Sequence, residues 1–122
     1  MQTYDPEKGP SATEWLAIDE TERIALVESY HHRRRIRVPQ RTLIHVVVEN
    51  QIALGEVVVI DALARLRAEG LTRHDAVHAV GMVLAENIYE ILKSPPTQAS
   101  DPNPSYFDRL RRLTAAEWLR SG

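Results

Sequence analysis

The fold is decided by the stretch Leu43-Ile-His-Val-Val-Val-Glu-Asn-Gln-Ile-Ala-Leu54. At about 100° per residue, its apolar side chains cover most of the circumference of a helix. A helix that is apolar nearly all round is typically the central helix of a bundle. The stretch therefore predicts a central helix from about Thr42 to Leu54.

Strands are the competing interpretation, because residues 43–48 and 57–60 are rich in β-branched side chains. Neither run alternates sharply with a period of two, and both continue into sequence that favours helices. The residues between them, 49–56, contain no tight hairpin turn. We therefore expect an all-α protein.

Capping residues, glycines and prolines place the other elements around this helix. Three further main helices are predicted over about 20–34, 57–69 and 72–93, with a short helical tail over about 106–112 and a final turn after Thr114. Asp19, Thr72 and Thr114 are suited to cap helix starts, and Gly70 suits a left-handed helix end. Residues 1–13 are predicted to be an extended segment and residues 94–104 a proline-rich linker. The prediction is one domain over residues 1–122, a compact bundle of four main helices with a short C-terminal helical tail.

Composition narrows the class of protein. The chain has 122 residues, a formal net charge of -2 and no cysteine, so disulfides, thiol nucleophiles and thiolate metal sites are excluded. We find no signal-peptide pattern and no apolar stretch of membrane-spanning length, so we expect a cytoplasmic protein without a membrane partner. No nucleophile elbow, phosphate-binding loop or dinucleotide fingerprint occurs. Catalytic residues can also meet in space without a local motif, so the sequence leaves open whether the protein is an enzyme.

Histidines recur at helical spacing. His45-x-x-x-Glu49 lies on the predicted central helix, and His74-x-x-x-His78 lies on the last main helix. Four-residue spacing places each pair on one face, one turn apart. Glu28-x-x-His31 adds a third pair on the first main helix.

Small residues next to the second pair predict how two helices meet. Gly81 and Ala85 share the face of His74 and His78, and they would let a neighbouring helix approach closely. We therefore expect the central helix to pack there, which brings His45, Glu49 and His78 near one another.

A histidine and carboxylate cluster of this kind suggests metal chemistry. The candidate ligands are His45, Glu49, His78, His74, His31 and Glu28. Such donors suit zinc, iron or manganese, and the spacing fits a mononuclear site better than a di-iron bundle or a zinc protease. The competing interpretation is a structural network of neutral histidines hydrogen-bonded to carboxylates or carbonyls, and the sequence alone favours that network.

A basic run follows the first main helix. Its arginines can bind phosphate or another anion, and they are Arg33, Arg34, Arg35, Arg37 and Arg41. No aromatic residues are interleaved for base stacking, so nucleic acid is not favoured. Cations at a helix C-terminus also interact favourably with the helix dipole, and a solvated helix end is the preferred interpretation.

Several spaced motifs resemble those of a family of short bacterial proteins known only as a domain of unknown function. They are Trp15-Leu-Ala-Ile-Asp19-Glu20-x-Glu22-Arg23, His45-x3-Glu49-Asn50-Gln51 and Leu63-x2-Leu66-x3-Gly70-x2-Arg73-His74-x-Ala76-x-His78. The resemblance covers most of residues 15–92. It implies a small helical cytoplasmic protein and brings no assigned activity, cofactor or catalytic residue.

Three functions follow from the sequence, in order of preference. The first is association with a second copy or another protein, without catalysis. The second is mononuclear metal binding by the histidine and carboxylate cluster. The third is anion binding by the arginine run.

Overall fold

The computed structural model describes residues 3–33, 39–93 and 103–121. These residues form seven helices and no strand, which confirms the all-α prediction. The helices are α1 (Ala12–Ala17), α2 (Glu20–Arg33), α3 (Pro39–Ala53), α4 (Val57–Ala68), α5 (Arg73–Lys93), α6 (Asn103–Arg112) and α7 (Ala115–Ser121). Both β-branched runs are helical, because each belongs to a longer helix that packs part of its surface, including Val46, Val48 and Val59, into the core.

Three helix starts are fixed by the predicted caps. The Asp19 carboxylate accepts a hydrogen bond from the Glu22 amide at 2.8 Å ahead of α2. The Thr72 hydroxyl accepts from the Asp75 amide at 3.1 Å ahead of α5, and the Thr114 hydroxyl caps α7 in the same way. Each cap satisfies one of the amides that has no partner within its own helix.

Two helices end in the same left-handed turn. Gly70 has φ +109°, and its amide donates to the Arg67 carbonyl while the Leu71 amide donates to the Leu66 carbonyl. Gly55, with φ +79°, makes the equivalent turn after α3. This paired pattern satisfies the last carbonyls of a helix and favours glycine, because a Cβ is strained at positive φ.

Three boundaries differ from the sequence prediction. Helix α1 begins inside the predicted extended segment, where the Ser11 hydroxyl accepts from the Glu14 amide at 3.4 Å. Helix α3 begins at Pro39, since proline is tolerated in a first turn that lacks amide partners. Helix α6 begins at Asn103, within the predicted linker, and residues 94–102 lie outside the described chain.

Helix α3 is central, as predicted. It contacts α1, α2, α4 and α5. On one side Val46 joins a cluster with Tyr4, Trp15, Val27 and Tyr30. On the other side Val48 joins the larger core that α4, α5, α6 and α7 build. Because α3 is buried on both sides, it positions its polar residues against two layers of helices.

Helices α3 and α5 pack closely together at Gly81. A Cβ at this position would collide with Cγ2 of Ile44, so only glycine fits without a shift. The predicted contact is confirmed for Gly81, but it is wrong for Ala85, which is exposed. Helix α3 runs antiparallel to α5, because Glu49 contacts Arg73 whereas Ile44 contacts Gly81. Ala85 is therefore level with the first turn of α3.

Within residues 3–33, 39–93 and 103–121, no single helix is long and apolar enough to cross a membrane. The segments Thr42–Ala53 and Val57–Ala68 meet the criteria of length and composition only when they are taken together, and the angle between them is 107°. In this fold their buried apolar residues belong to the protein core.

Candidate metal centre

Three imidazoles converge where α3 packs on α5. One ring nitrogen from each of His45, His74 and His78 lies within 4.8 Å of the other two. The ring centroids of His45 and His78 are 4.5 Å apart, those of His74 and His78 are 4.5 Å apart, and those of His45 and His74 are 5.2 Å apart. Adjacent turns of α5 supply two rings, and the close approach at Gly81 brings α3 near enough to supply the third.

The cluster lies at the edge of the core. His45 is only 1% exposed, whereas His74 and His78 are half-buried. The Nε2 atoms of both α5 histidines are nevertheless buried, so the rings turn their nitrogens inward. The site therefore lies between a fully buried ring on α3 and two half-buried rings on α5.

A fourth ring, that of His31, lies behind His45. Their centroids are 4.8 Å apart, and His31 is 2% exposed. Nδ1 of His31 is 2.8 Å from the Thr42 hydroxyl, so this ring is oriented by the first turns of α3. His31 is next to the three converging histidines and is not one of them.

Tyr30 orients His74. Its hydroxyl is 3.4 Å from Nδ1 of His74, and the two rings meet edge to face with centroids 5.5 Å apart. Nε2 of His74 is the ring nitrogen on the side away from this hydroxyl, and it is buried. Proteins usually fix the orientation of a histidine ligand through a hydrogen bond on its second nitrogen, most often to a carboxylate, a backbone carbonyl or water, and the Tyr30 hydroxyl occupies that place here.

Glu49 is engaged with Arg73 rather than with the histidines. Each carboxylate oxygen accepts a hydrogen bond from the guanidinium at 2.8 Å, and Oε2 also accepts from the Tyr4 hydroxyl at 2.6 Å. Burial lowers the pKa of Arg73, but the hydrogen bonds and charge of Glu49 outweigh it and raise that pKa overall. Burial, then the negative charge of Glu49, raises the pKa of Tyr4 well above its usual value. Glu49 and Arg73 thus form an ion pair with no net charge, and the phenol of Tyr4 that is bonded to it keeps its proton.

The N-terminal segment, residues 3–10, lies across this ion pair. The Pro6 carbonyl accepts from Arg73 at 2.7 Å, and the Glu7 carboxylate accepts from the His74 amide at 2.7 Å at the start of α5. Gly9 has φ +71°, and a Cβ there would collide with the guanidinium of Arg73. The segment therefore closes the floor of the histidine cluster, and its path requires glycine at this position.

The structure separates the six predicted ligands into three groups. His45, His74 and His78 come together, and His31 lies beside them. Glu49 is one turn from His45 but is bound to Arg73. Glu28 is exposed, because the buried face of α2 is centred on Val27 and Glu28 is about 100° further round the helix.

The predicted anion site cannot be placed in the same way. Arg34, Arg35 and Arg37 lie outside the described residues. Arg33 ends α2 and Arg41 lies in the first turn of α3, and the side chains of both also fall outside the described part.

Sequence reasoning missed four residues that support the cluster: Tyr4, Tyr30, Thr42 and Arg73. Arg73 had a usable signal, since it directly precedes His74 within one of the family-like motifs. Tyr4 had none, because it lies in a segment without periodicity and meets Glu49 across 45 positions of sequence.

The cluster could hold one metal ion. Within the described parts of the chain, no carboxylate joins the converging group, so its donors are three neutral imidazoles. A tetrahedral zinc ion with bonds of about 2.0–2.1 Å keeps its ligands roughly 3.4 Å apart. Each ring nitrogen would therefore move inward by on the order of 1 Å, which a small side-chain rotation provides.

Comparison with known proteins finds no matching family model, no matching curated protein and no matching solved structure. The resemblance to a bacterial family of unknown function remains an expectation from the sequence motifs. Functional inference therefore rests on the geometry of the chain itself.

Proposed function

We propose that this protein binds one transition-metal ion through His45, His74 and His78. The observation that carries the proposal is the convergence of three ring nitrogens, from two helices, to within 4.8 Å of one another. Two of these side chains are half-buried and the third is fully buried, which suits an ion that enters from one side.

The bonding of Glu49 bears on the alternative function, a purely structural histidine network. In such a network the nearby carboxylate is the natural partner for the imidazole N–H groups. Here the described partners of that carboxylate are Arg73 and Tyr4. Glu49 is therefore committed to its own ion pair, and the hydroxyls of Tyr30 and Thr42 help to orient the rings of His74 and His31.

The donor set narrows the choice of metal. Imidazole nitrogen suits zinc, copper, nickel, cobalt and ferrous iron, whereas magnesium and calcium prefer oxygen ligands. Zinc is our first candidate, because it commonly takes three histidines with one further position. The ligand set predicted from the sequence included two carboxylates, which suit manganese. Manganese fits the observed donors less well, because no carboxylate joins the converging group among the described residues.

Thermal unfolding with and without zinc tests this function. At a free zinc concentration about 100 times the dissociation constant, binding to the folded state adds about 2.7 kcal/mol to the free energy of unfolding. For a domain of this size, that raises Tm by roughly 10 °C, and a chelator reverses the rise. The variants His45→Gln and His78→Gln should lose the zinc-dependent rise.

The matched control is His32→Gln, on the exposed side of α2. It removes one histidine without touching the cluster and should keep the full response. The proposal is wrong if wild type shows no zinc-dependent rise, or if His32→Gln abolishes it as completely as His78→Gln.

Association with a second copy or another protein stays a prediction from the sequence. Light scattering over a wide concentration range tests self-association, and a mass that stays at one chain throughout would count against it.

A further inference from the structure

We infer that the metal-loaded site binds a small anion at its fourth coordination position. This inference rests on the proposed metal site and adds the chemical class of its ligand. It follows from three features of the site: the charge of its donors, the number of its donors and the partial exposure of its two α5 rings.

The buried groups beside the cluster leave a divalent ion uncompensated, and the nearby Glu7 carboxylate, which accepts from the His74 amide, is exposed to solvent. All three donors are neutral imidazoles when they bind a metal. The closest buried carboxylate, Glu49, is already neutralised by the guanidinium of Arg73. Tyr4 donates its proton to the same carboxylate, and burial favours its neutral form. Two positive charges in a largely buried site attract an anion strongly, because the surroundings screen them poorly.

The number of donors leaves room for that anion. A four-coordinate metal with three histidines keeps one position for water, hydroxide or another ligand. His31 is the nearest protein group that could fill it. However, its Nδ1 is engaged with Thr42, and its ring packs against His45, outside the group of converging nitrogens.

The shape of the site limits the anion to a small one. The buried rings of His45, Tyr4 and Tyr30 close one side of the cluster. On the other side, the rings of His74 and His78 are half-buried and so lie nearest to solvent. We expect a monovalent ligand of a few heavy atoms, such as hydroxide or a small carboxylate, with one atom bound to the metal.

Cobalt(II) and azide provide a direct test, because cobalt(II) can replace zinc and its visible absorption reports the coordination shell. Full-length protein loaded with one equivalent of cobalt(II) should show a saturable shift of the visible bands as azide is added. Perchlorate at the same ionic strength is the control, since it coordinates metals weakly, and it should leave the bands unchanged.

Three results would overturn the inference. If cobalt(II) binds but azide and perchlorate both leave the spectrum unchanged, the fourth position is not open to anions. If azide acts only in the variant His31→Gln, the fourth ligand is His31. If both anions shift the bands equally, the effect is ionic screening. Failure of cobalt(II) to bind at all would instead overturn the proposed metal site, so the two failures are distinguishable.

Discussion

The ion pair between Glu49 and Arg73 is the most buried charged contact in the described parts of the chain, with side chains 1% and 7% exposed. Its geometry is bidentate, and Tyr4 and Pro6 complete its hydrogen bonds. A buried pair of this kind contributes little net stability, yet losing one partner is costly because the other charge remains buried. The pair fixes the N-terminal segment beneath the histidines.

The variant Glu49→Gln should therefore lower the free energy of unfolding by about 3 kcal/mol or more, because it leaves Arg73 as an uncompensated buried charge. Urea titration of the metal-free protein measures this loss. Asp108→Asn, which breaks the exposed pair with Arg111, should cost less than about 1 kcal/mol. Equal effects of the two variants would contradict the structural role of the buried pair.

The hydroxyl of Tyr30 should contribute to metal affinity without touching the metal. Tyr30→Phe removes the partner of His74 Nδ1 and should weaken zinc binding by on the order of tenfold, with the fold intact. Competition with a chromophoric chelator measures the affinity. Tyr89→Phe makes the same chemical change on an exposed part of α5 and should leave the affinity unchanged. An unaltered affinity in Tyr30→Phe would show that this hydrogen bond does not orient the ligand.

Single-residue roles were only partly predictable from the sequence. The spacing of His74 and His78 was enough to place them on one face, since neighbours on a helix follow from its geometry. The partner of Glu49 was not predictable, because Arg73 is 24 positions away and Tyr4 is 45 positions away. Local spacing favoured His45 as that partner, and a stronger charged contact from another helix prevailed.

At the scale of elements, the site depends on how closely α3 and α5 approach. Gly81 allows Ile44 to pack against the backbone of α5, one turn beyond His78. Because α3 supplies His45 and α5 supplies the other two donors, any increase in their separation also moves the donors apart.

Gly81→Ala should therefore reduce both stability and metal affinity. Overpacking of this kind typically costs about 1–3 kcal/mol, which urea titration measures, and zinc competition gives the affinity. Ile44→Ala in the same chain removes the colliding methyl group and should recover zinc affinity. Ala85→Ser, on the exposed turn that follows, is the matched control and should change neither quantity. If Gly81→Ala binds zinc as wild type does, the helix approach does not set the geometry of the site.

The elements themselves followed well from capping residues and apolar patterns, as α2, α4 and α5 illustrate. The N-terminal segment did not, because its position depends on Arg73, Glu49 and Tyr4 rather than on local propensity. Helix α1 had a local signal in Ser11 and Glu14, but the surrounding prolines and glycine favoured an extended chain.

At the scale of the whole molecule, two buried tyrosines tie stability to alkaline pH. Burial raises the pKa of Tyr4 and also that of Tyr106, which is in the core on the opposite side of α3. Both phenols thus hold their protons more tightly in the folded state than in the unfolded state. Their contribution is fully present below the unfolded pKa, near 10.0, and is lost as pH rises above it.

The free energy of unfolding should accordingly be lower at about pH 11 than at about pH 8. Urea titrations at the two values measure the difference for wild type, Tyr4→Phe and Tyr106→Phe. Each variant removes one proton-linked group and should show a smaller difference than wild type. If the variant that combines Tyr4→Phe and Tyr106→Phe loses as much stability between the two pH values as wild type does, these tyrosines are not the origin of the pH dependence.

The metal content of the protein, purified without an affinity tag and dialysed against trace zinc, is the most direct test of the central claim. The predicted result is one equivalent of zinc per chain in wild type and in His32→Gln, and almost none in His74→Gln and His78→Gln. Wild type without stoichiometric metal, or His78→Gln with a full equivalent, would contradict the assignment of His45, His74 and His78 as a metal site.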